Sequence, residues 1–289
     1  MHEVLSTLID ALKDTLLDTL KIAPFLFVIY LLMEYIEHKA DDRTKNFIAK
    51  SGRFGPVLGG VLGAIPQCGF SAACSGLFAG GVISLGTLLA VFISTSDEML
   101  PIMLTGGISA LRVLKIVGFK AVAGMIIGLL ADVLVPFKQD KENKSIHDMC
   151  EHDHCHCEEG VLRAALHHFG EIIAYVFIFT LVLNIVIGFA GEENIEKLFV
   201  SMPVIGHVIA ALIGLIPNCA ASIVITNLFI SGVISSGIMM SGLLVGAGMG
   251  LAVLFRTNRN LKQNIMITVI LFLAGVLLGT LTDILGIVF

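Results

Sequence analysis

Residues 63–68 read Gly-Ala-Ile-Pro-Gln-Cys, and residues 214–219 read Gly-Leu-Ile-Pro-Asn-Cys. The two motifs belong to a longer repetition, because residues 55–134 align with residues 206–285 at a constant offset of 151 and without a gap. Of the 80 aligned positions, 22 are identical. A duplicated apolar chain whose helices are interrupted at matching prolines is typical of secondary transporters, which hold their substrate at the interruptions.

The composition indicates an integral membrane protein. Of the 289 residues, 56% are hydrophobic and 14% are charged, and the mean hydropathy is +0.93. A helix needs roughly 20 residues to cross the hydrocarbon core, and β-barrel strands would alternate polar with apolar residues, which these segments do not. Apolar segments lie near 16–37, 54–83, 85–105, 113–137, 171–190, 204–233, 235–255 and 264–289. We therefore predict an all-α integral membrane fold.

The repetition divides the chain into three parts. We predict a first repeat at 1–137, a His/Cys-rich cytoplasmic linker at 138–160 and a second repeat at 161–289. Residues 3–20 have apolar positions at helical spacing and charges between them, which predicts an additional helix at the membrane interface.

Loop charges predict that the two repeats are inverted. Loop 39–53 is basic, whereas the aligned loop 190–204 is mostly acidic. Loop 256–262 is basic, whereas the aligned loop 105–111 has no charge. Because basic loops stay in the cytoplasm, aligned loops should lie on opposite sides of the membrane. This orientation puts the linker inside and the C-terminus outside.

The segments 54–83 and 204–233 each carry a proline, at positions 66 and 217, where a continuous helix is disfavoured. We predict that each segment forms two half-helices folded into a re-entrant hairpin, and that the two tips meet near the midplane. A pair of short, kinked crossing helices is the alternative. Non-helical backbone at this depth must be buried in protein or line a wet cavity.

The two hairpin tips carry matched candidate ligands. Their half-helix ends expose carbonyls and amides, and their side chains add amide oxygens, hydroxyls and sulfur. These side chains are Gln67, Cys68, Ser71, Asn218, Cys219 and Ser222. The alternative is that proline and small residues at these positions permit close helix packing.

Asp97 and Glu98 are acids inside the apolar segment 85–105, with Asp97 near its centre. An acid at this depth costs at least about 2.5–3.5 kcal/mol on insertion scales and normally faces a cavity with a partner or a function. Together with the amide oxygens, these carboxylates would form a site of oxygen donors, which suits Mn²⁺. The alternative is an acid that is protonated, or paired with Lys115 or Lys120.

The linker holds a dense group of metal-ligating residues without the paired spacing of a zinc finger. They are His147, Cys150, His152, His154, Cys155, His156 and Cys157. We predict that they contact a transition metal.

Other polar and small residues have secondary roles in the prediction. Glu34 and Asn184 are further candidates for the substrate site, because both are polar residues in membrane helices. Asp132 and Asp283 align near helix ends, which favours helix capping or contact with solvent. Pairs of glycines with small-x-x-x-small spacing predict helix packing; they are Gly124 with Gly128 and Gly275 with Gly279.

With the duplicated proline motifs, residues 96–98 (Ser-Asp-Glu) and the His/Cys-rich linker, the chain resembles the ten-transmembrane heavy-metal exporters of bacteria. Members of that family are labelled manganese transporters or arsenic efflux proteins. The resemblance implies metal or metalloid efflux, and its ten spans agree with five per half if each hairpin counts as two.

Three functions compete. The first is export of a divalent cation, most favourably Mn²⁺, through the oxygen ligands. The second is efflux of arsenite or another thiophilic metalloid, with Cys68 and Cys219 as the soft pair. The third is a membrane-embedded hydrolase with Asp97 and Glu98 as its metal-binding acids. It is disfavoured because neither hairpin tip carries a cationic side chain to hold phosphate.

We predict a transporter and not an enzyme, with alternating access and with the metal as substrate. No catalytic residue, required cofactor or nucleic-acid partner is predicted, and no nucleotide-binding signature occurs in the sequence. The predicted surroundings are the bilayer of a bacterial inner membrane, and a homodimer is compatible with the sequence.

Overall fold

The protein is described by a computed structural model that covers residues 8–9, 11–17, 19–20, 23–24, 27–28, 31, 54–65, 68–96, 99–134, 161–190 and 205–289. Within these ranges all regular structure is helical, and no strand occurs. The all-α fold is therefore confirmed for the described residues. The linker 138–160 and its predicted metal ligands lie outside them.

The helices recur along the chain. The first group is α1 (Gly55–Gly63), α2 (Cys68–Ala79), α3 (Leu85–Ser94), α4 (Met99–Thr105) and α5 (Ala110–Leu134). After α6 (Val161–Ala190) comes the second group, α7 (Gly206–Gly214), α8 (Cys219–Ile230), α9 (Ser236–Val245), α10 (Gly250–Thr257) and α11 (Leu261–Ile284). The sequence offset of 151 therefore also relates the helix boundaries, within one residue.

Four stretches of the described chain are long and apolar enough to cross a bilayer: Leu85–Thr105, Ala110–Leu134, Ser236–Thr257 and Leu261–Ile284. Their burial falls into two classes. An 18-residue apolar segment of the first stretch is 75% buried and that of the third is 83% buried, whereas those of the second and fourth are 33% and 28% buried. The α3–α4 and α9–α10 stretches therefore form the interior, and α5 and α11 form an outer layer.

Helix α11 shows why the outer layer suits lipid. Its exposed positions are large and apolar at a spacing of four residues: Leu261, Ile265, Val269, Leu273, Leu277 and Leu281. Its buried face instead carries amides, glycines and a threonine among a few aliphatic residues: Gln263, Asn264, Ile267, Leu271, Gly275, Gly279 and Thr282. A water-soluble helix has the opposite arrangement. The pattern is that of a helix with its apolar face toward hydrocarbon and its small residues toward protein.

The predicted glycine faces are confirmed as packing surfaces. A Cβ atom on Gly128 would lie 2.4 Å from the carbonyl oxygen of Gly86, and one on Gly279 would lie 2.5 Å from that of Gly237. Backbone atoms cannot move aside as a flexible side chain can. Helices α3 and α5, and likewise α9 and α11, approach so closely because these positions have no side chain.

The predicted capping role of Asp132 and Asp283 is also confirmed. Asp132 accepts hydrogen bonds from Ser84 Oγ and Gly86 N, both at 2.7 Å, at the start of α3. Asp283 accepts from Ser235 Oγ at 2.5 Å and Gly237 N at 2.7 Å at the start of α9. Each carboxylate thus satisfies a free amide at the N-terminus of a buried helix from the last turns of the outer helix.

The stretch 85–105 is confirmed as a candidate span but is not one continuous helix. Helix α3 ends at Ser94, Thr95 and Ser96 are not helical, and α4 begins at Met99. Local hydroxyl bonds accompany this end, since Thr95 Oγ1 donates to Val91 O at 2.7 Å. In the second half the aligned break contains Gly248, whose φ of +52° is a left-handed conformation that favours glycine.

Near these breaks, helices of each half pack against helices of the other half. Helix α2 packs against α10, and the aligned helix α8 packs against α4. The inner helices α3 and α9 also contact each other. Each half therefore completes the interior of the other, which brings the helix ends of both halves into one region.

Candidate functional site

The helix ends at the proline motifs define the first part of the site. Helix α1 ends at Gly63 and α2 begins at Cys68, while α7 ends at Gly214 and α8 begins at Cys219. In the second half, residues 215–218 are a non-helical turn in which Asn218 N donates to Ile216 O at 2.7 Å. Pro66 and Gln67 lie outside the described residues.

Glycines bring the end of each first half-helix against an inner helix. A Cβ atom on Gly63 would lie 2.2 Å from Ser94 Oγ and 2.8 Å from Val91 O. A Cβ atom on Gly214 would lie 2.2 Å from Gly242 O. The breaks at the proline motifs therefore adjoin the C-terminal turns of α3 and α9, whose last carbonyls have no partner in their own helix.

Two predicted site residues, Ser71 and Ser222, lie beside the break between α9 and α10. Ser71 is buried against Gly250 at the start of α10, where a Cβ atom on the glycine would lie 3.0 Å from Ser71 Cβ. One turn later, Ser75 Oγ donates to Gly250 O at 2.7 Å. A Cβ atom on Gly246 would lie 3.5 Å from Ser222 Oγ. The aligned serines of the two proline motifs thus flank residues 246–250.

A buried lysine joins the breaks of the two halves. Lys120, in the middle of α5, is 1% exposed. Its Nζ donates to the carbonyl oxygen of Thr95, which follows the last residue of α3, and to that of Leu243 at 2.8 Å. Leu243 lies in the last turn of α9, so its carbonyl is at the helix end where partial negative charge collects. The ammonium is therefore held by helix-end carbonyls from both halves.

The predicted ligand Asn218 lies in a chain of polar contacts. It is 2% exposed, and its Nδ2 donates to Asn184 Oδ1 at 2.6 Å. Asn184 Nδ2 in turn donates to Thr15 Oγ1 at 3.0 Å, and Thr15 Oγ1 donates to Ala11 O at 2.7 Å. The chain connects the second proline motif through α6 to the N-terminal helical residues 11–17.

The N-terminal residues agree in part with the interfacial helix predicted at 3–20. Residues 11–17 are helical. Their large apolar side chains, such as Leu12 and Leu16, are exposed, whereas Ala11 and Thr15 are buried against the remainder of the protein. This segment therefore contacts the protein through a small-residue face and leaves its leucines outward.

Several predicted site residues lie outside the structural description. Asp97 and Glu98 are among the residues not described, as are Glu34 and the linker ligands at 147–157. Cys68 and Cys219 are described as the first residues of α2 and α8, without their side chains. Among the described residues, no group of three or more His, Cys, Asp or Glu side chains could hold a metal ion.

The sequence indicates Lys120 only as a counter-charge for Asp97, not as the residue that joins the two helix breaks. The available signal was an ionisable residue ten positions into an apolar helix, with Leu271 at the aligned position of the second half. The sequence also does not single out Thr226, which aligns with Ser75. Thr226 is fully buried, and its hydroxyl has no hydrogen-bond partner in the part of the chain that the structure describes.

Comparison with known sequences gives the family. Residues 3–200 match the sequence profile described as "Putative, 10TM heavy-metal exporter". No curated protein and no solved structure matches the chain. The matched range covers the first proline motif, the acids at 97–98 and the His/Cys-rich linker, and the apolar helices agree with several membrane crossings. The chain belongs to the ten-transmembrane heavy-metal exporter family.

Proposed function

We propose that this protein is a secondary exporter of a divalent transition metal, with Mn²⁺ as its principal substrate, and that it works by alternating access. The observation that carries this proposal is the junction at Lys120, where an ammonium is bound by carbonyls from interrupted helices of both halves. Transporters bind cations at such unwound carbonyls and half-helix ends, at the interface between repeats. Movement of one half against the other would change the access to this junction.

The repeats are proposed to be inverted, with re-entrant hairpins at α1–α2 and α7–α8. The reciprocal packing of α2 on α10 and α8 on α4 supports a two-fold relation between the halves. In each aligned pair one loop is basic and the other is acidic or uncharged, which supports an axis in the membrane plane, since basic loops remain in the cytoplasm. This topology puts the linker 138–160 in the cytoplasm of the bacterium and the C-terminus outside.

Oxygen ligands are proposed to bind the metal ion. In the sequence, Asp97 and Glu98 follow Thr95, whose carbonyl Lys120 contacts, by two and three residues, and we propose their carboxylates as ligands. Gln67, Asn218, Ser71 and Ser222 would add amide and hydroxyl oxygens from the two proline motifs. Carboxylate, carbonyl and water ligands suit Mn²⁺, whereas thiolates select softer metals.

Arsenite or another thiophilic metalloid is the second candidate substrate. The observation that favours it is that Cys68 and Cys219 occupy the first positions of the aligned helices α2 and α8. Because the thiolate is the metal ligand, a pair of cysteines at matched helix starts could bind a soft ion between the two halves. This substrate would not need the carboxylates at 97–98.

The substrate can be identified by accumulation measurements. We expect cells that express the protein to accumulate less manganese than cells with an empty vector, when Mn, Fe, Co, Zn, Cd and arsenite are compared. Proteoliposomes with purified protein should then transport ⁵⁴Mn²⁺ without ATP. Protection against arsenite with no change in any divalent metal would reject Mn²⁺ in favour of the metalloid.

Two matched variants separate the two ligand sets. We expect Asp97→Asn to abolish Mn²⁺ transport without unfolding, because it removes a charge from the site while conserving size. The double substitution Cys68→Ser and Cys219→Ser should retain most transport, since hydroxyls replace thiols at a similar size. Thermal unfolding in detergent provides the folding control. A double serine variant that is inactive beside an active Asp97→Asn would establish a thiol site.

A further inference from the structure

Lys120 raises a difficulty for a cation exporter, because its ammonium occupies carbonyl oxygens that a metal ion would need. The ammonium is buried and is held by Thr95 O and Leu243 O, which belong to the two interrupted helices proposed above to form the path. Carbonyl oxygens at helix C-termini are the groups that bind cations in transporters of this architecture. The lysine therefore occupies a cation position formed by the two halves.

We propose that the Lys120 ammonium competes with the transported metal ion for these carbonyls and replaces the ion while the transporter returns without substrate. This inference rests on the proposed export function and adds the residue that makes net export possible. A carrier that exports must reorient once with the ion and once without it. Buried carbonyls left without a cation would lack a polar partner in an apolar interior, which is costly, so an empty return needs a substitute charge.

The geometry of α5 suits this role. Lys120 lies in the outer layer, but its side chain reaches across the first half to α9 of the second half. Its length and flexibility allow the ammonium to leave and re-enter the carbonyls without movement of the helix backbone. At the aligned position of the second half, Leu271 is fully buried and carries no charge, so the exchange is made by one half. A competing cation also keeps the metal affinity low enough for release.

The test uses purified, full-length protein in liposomes and compares two kinds of flux. Net efflux of ⁵⁴Mn²⁺ into a metal-free solution requires the empty return, whereas exchange of ⁵⁴Mn²⁺ for unlabelled Mn²⁺ does not. We expect Lys120→Met to lower net efflux at least tenfold, to leave exchange within about twofold of wild type, and to bind Mn²⁺ more tightly in calorimetry. Lys115→Met, at an exposed position on the same helix, is the matched control and should change neither flux.

Other results would overturn the inference in distinguishable ways. Equal loss of both fluxes in a folded Lys120→Met protein would assign the lysine a structural role. Weaker Mn²⁺ binding, or unchanged net efflux, would show that it does not compete with the ion. If Lys120→Met does not fold, Lys120→Gln, which retains a neutral donor for the carbonyls, must show the same separation of fluxes. Wild-type protein without either flux would reject the proposed Mn²⁺ export itself.

Discussion

At the scale of single residues, buried polar groups carry most of the functional information in this protein. Its interior is mainly apolar, so a polar side chain there needs a specific hydrogen-bond partner. Those partners show which helices must keep a fixed position relative to each other. Lys120 marks the junction of the two inner helices, and the contact between Asn218 and Asn184 ties the second proline motif to α6.

The contact between Asn218 and Asn184 should be measurable as a coupling energy. We expect Asn218→Ala and Asn184→Ala each to lower the free energy of unfolding, and the double variant to lose less than the sum by about 0.5–1.5 kcal/mol, the range of interhelical hydrogen bonds in membranes. Chemical unfolding in mixed micelles measures all three.

A second cycle provides the control for this measurement. Thr280 donates a hydrogen bond to Val276 O within its own helix rather than to Asn218. The losses in free energy of unfolding caused by Asn218→Ala and Thr280→Val should therefore be additive. Additive losses for the asparagine pair would mean that their 2.6 Å contact contributes no net stability. The transport of folded variants would then show whether the contact positions the proline motif.

At the scale of helices, glycine positions decide how closely the inner and outer layers pack. Gly128 and Gly118 lie on the same helix, α5, with opposite surroundings. A Cβ atom on Gly128 would lie 2.4 Å from Gly86 O, whereas one on Gly118 would meet nothing within 4 Å. The two positions therefore separate the effect of packing from that of helix propensity.

We expect Gly128→Ala to lower the free energy of unfolding by about 1–3 kcal/mol, since the added methyl group forces α3 and α5 apart. Gly118→Ala should leave the free energy of unfolding unchanged or raise it by up to about 1 kcal/mol, because alanine favours the helix and its methyl group would lie in open space. Thermal unfolding in one detergent compares the two directly. Equal effects would contradict the close approach at Gly128.

Prolines made some helix breaks predictable from the sequence, and their absence hid others. Pro66 and Pro217 remove a backbone donor, so the ends of α1 and α7 could be located within a few residues. The breaks after Ser94 and Val245 have no proline. They depend on Gly248 in a left-handed turn and on hydroxyls that bond nearby carbonyls. Such residues also occur within membrane helices, so the apolar pattern alone predicted uninterrupted segments.

The candidate site was predictable to a similar extent. Duplication selected Ser71, Ser222 and Asn218, and the structure puts the serines beside one break and Asn218 in a polar chain. The role of Lys120 could not be derived, because its contacts with Thr95 and Leu243 span 25 and 123 residues of sequence. A periodic pattern contains no information about which distant carbonyl a lysine reaches.

At the scale of the whole molecule, the proposed inverted topology can be tested by cysteine labelling, without a transport measurement. In a background where native cysteines are serines, we expect a membrane-impermeant maleimide to label Glu193→Cys but not Asp41→Cys in intact cells. The first lies in the acidic loop 190–204 and the second in the basic loop 39–53, which should be cytoplasmic.

Permeabilised cells and a linker position are the controls for labelling. Both introduced cysteines should react after permeabilisation, which establishes that neither is buried. Ser145→Cys, in the linker, should behave like Asp41→Cys because both are proposed to be cytoplasmic. Labelling of Asp41→Cys and Glu193→Cys from the same side would contradict inverted repeats and favour parallel ones.

The repeats should transport metal without the linker ligands, because the aligned segments 55–134 and 206–285 do not include the linker. We expect deletion of 147–157 to leave Mn²⁺ transport by a folded protein at saturating metal but to weaken it at low metal. The His and Cys residues would collect ions at the cytoplasmic entrance and raise their local concentration.

A second variant distinguishes ligand chemistry from linker length. It keeps all residues of 147–157 but replaces the four His and three Cys with serine. If the ligands collect metal, both variants should lose transport equally at low metal and recover at high metal. Loss in the deletion alone would mean that the linker's length couples the two halves. Loss in both at saturating metal would put the linker in the transport path, because a collecting site can be bypassed by concentration and a required step cannot.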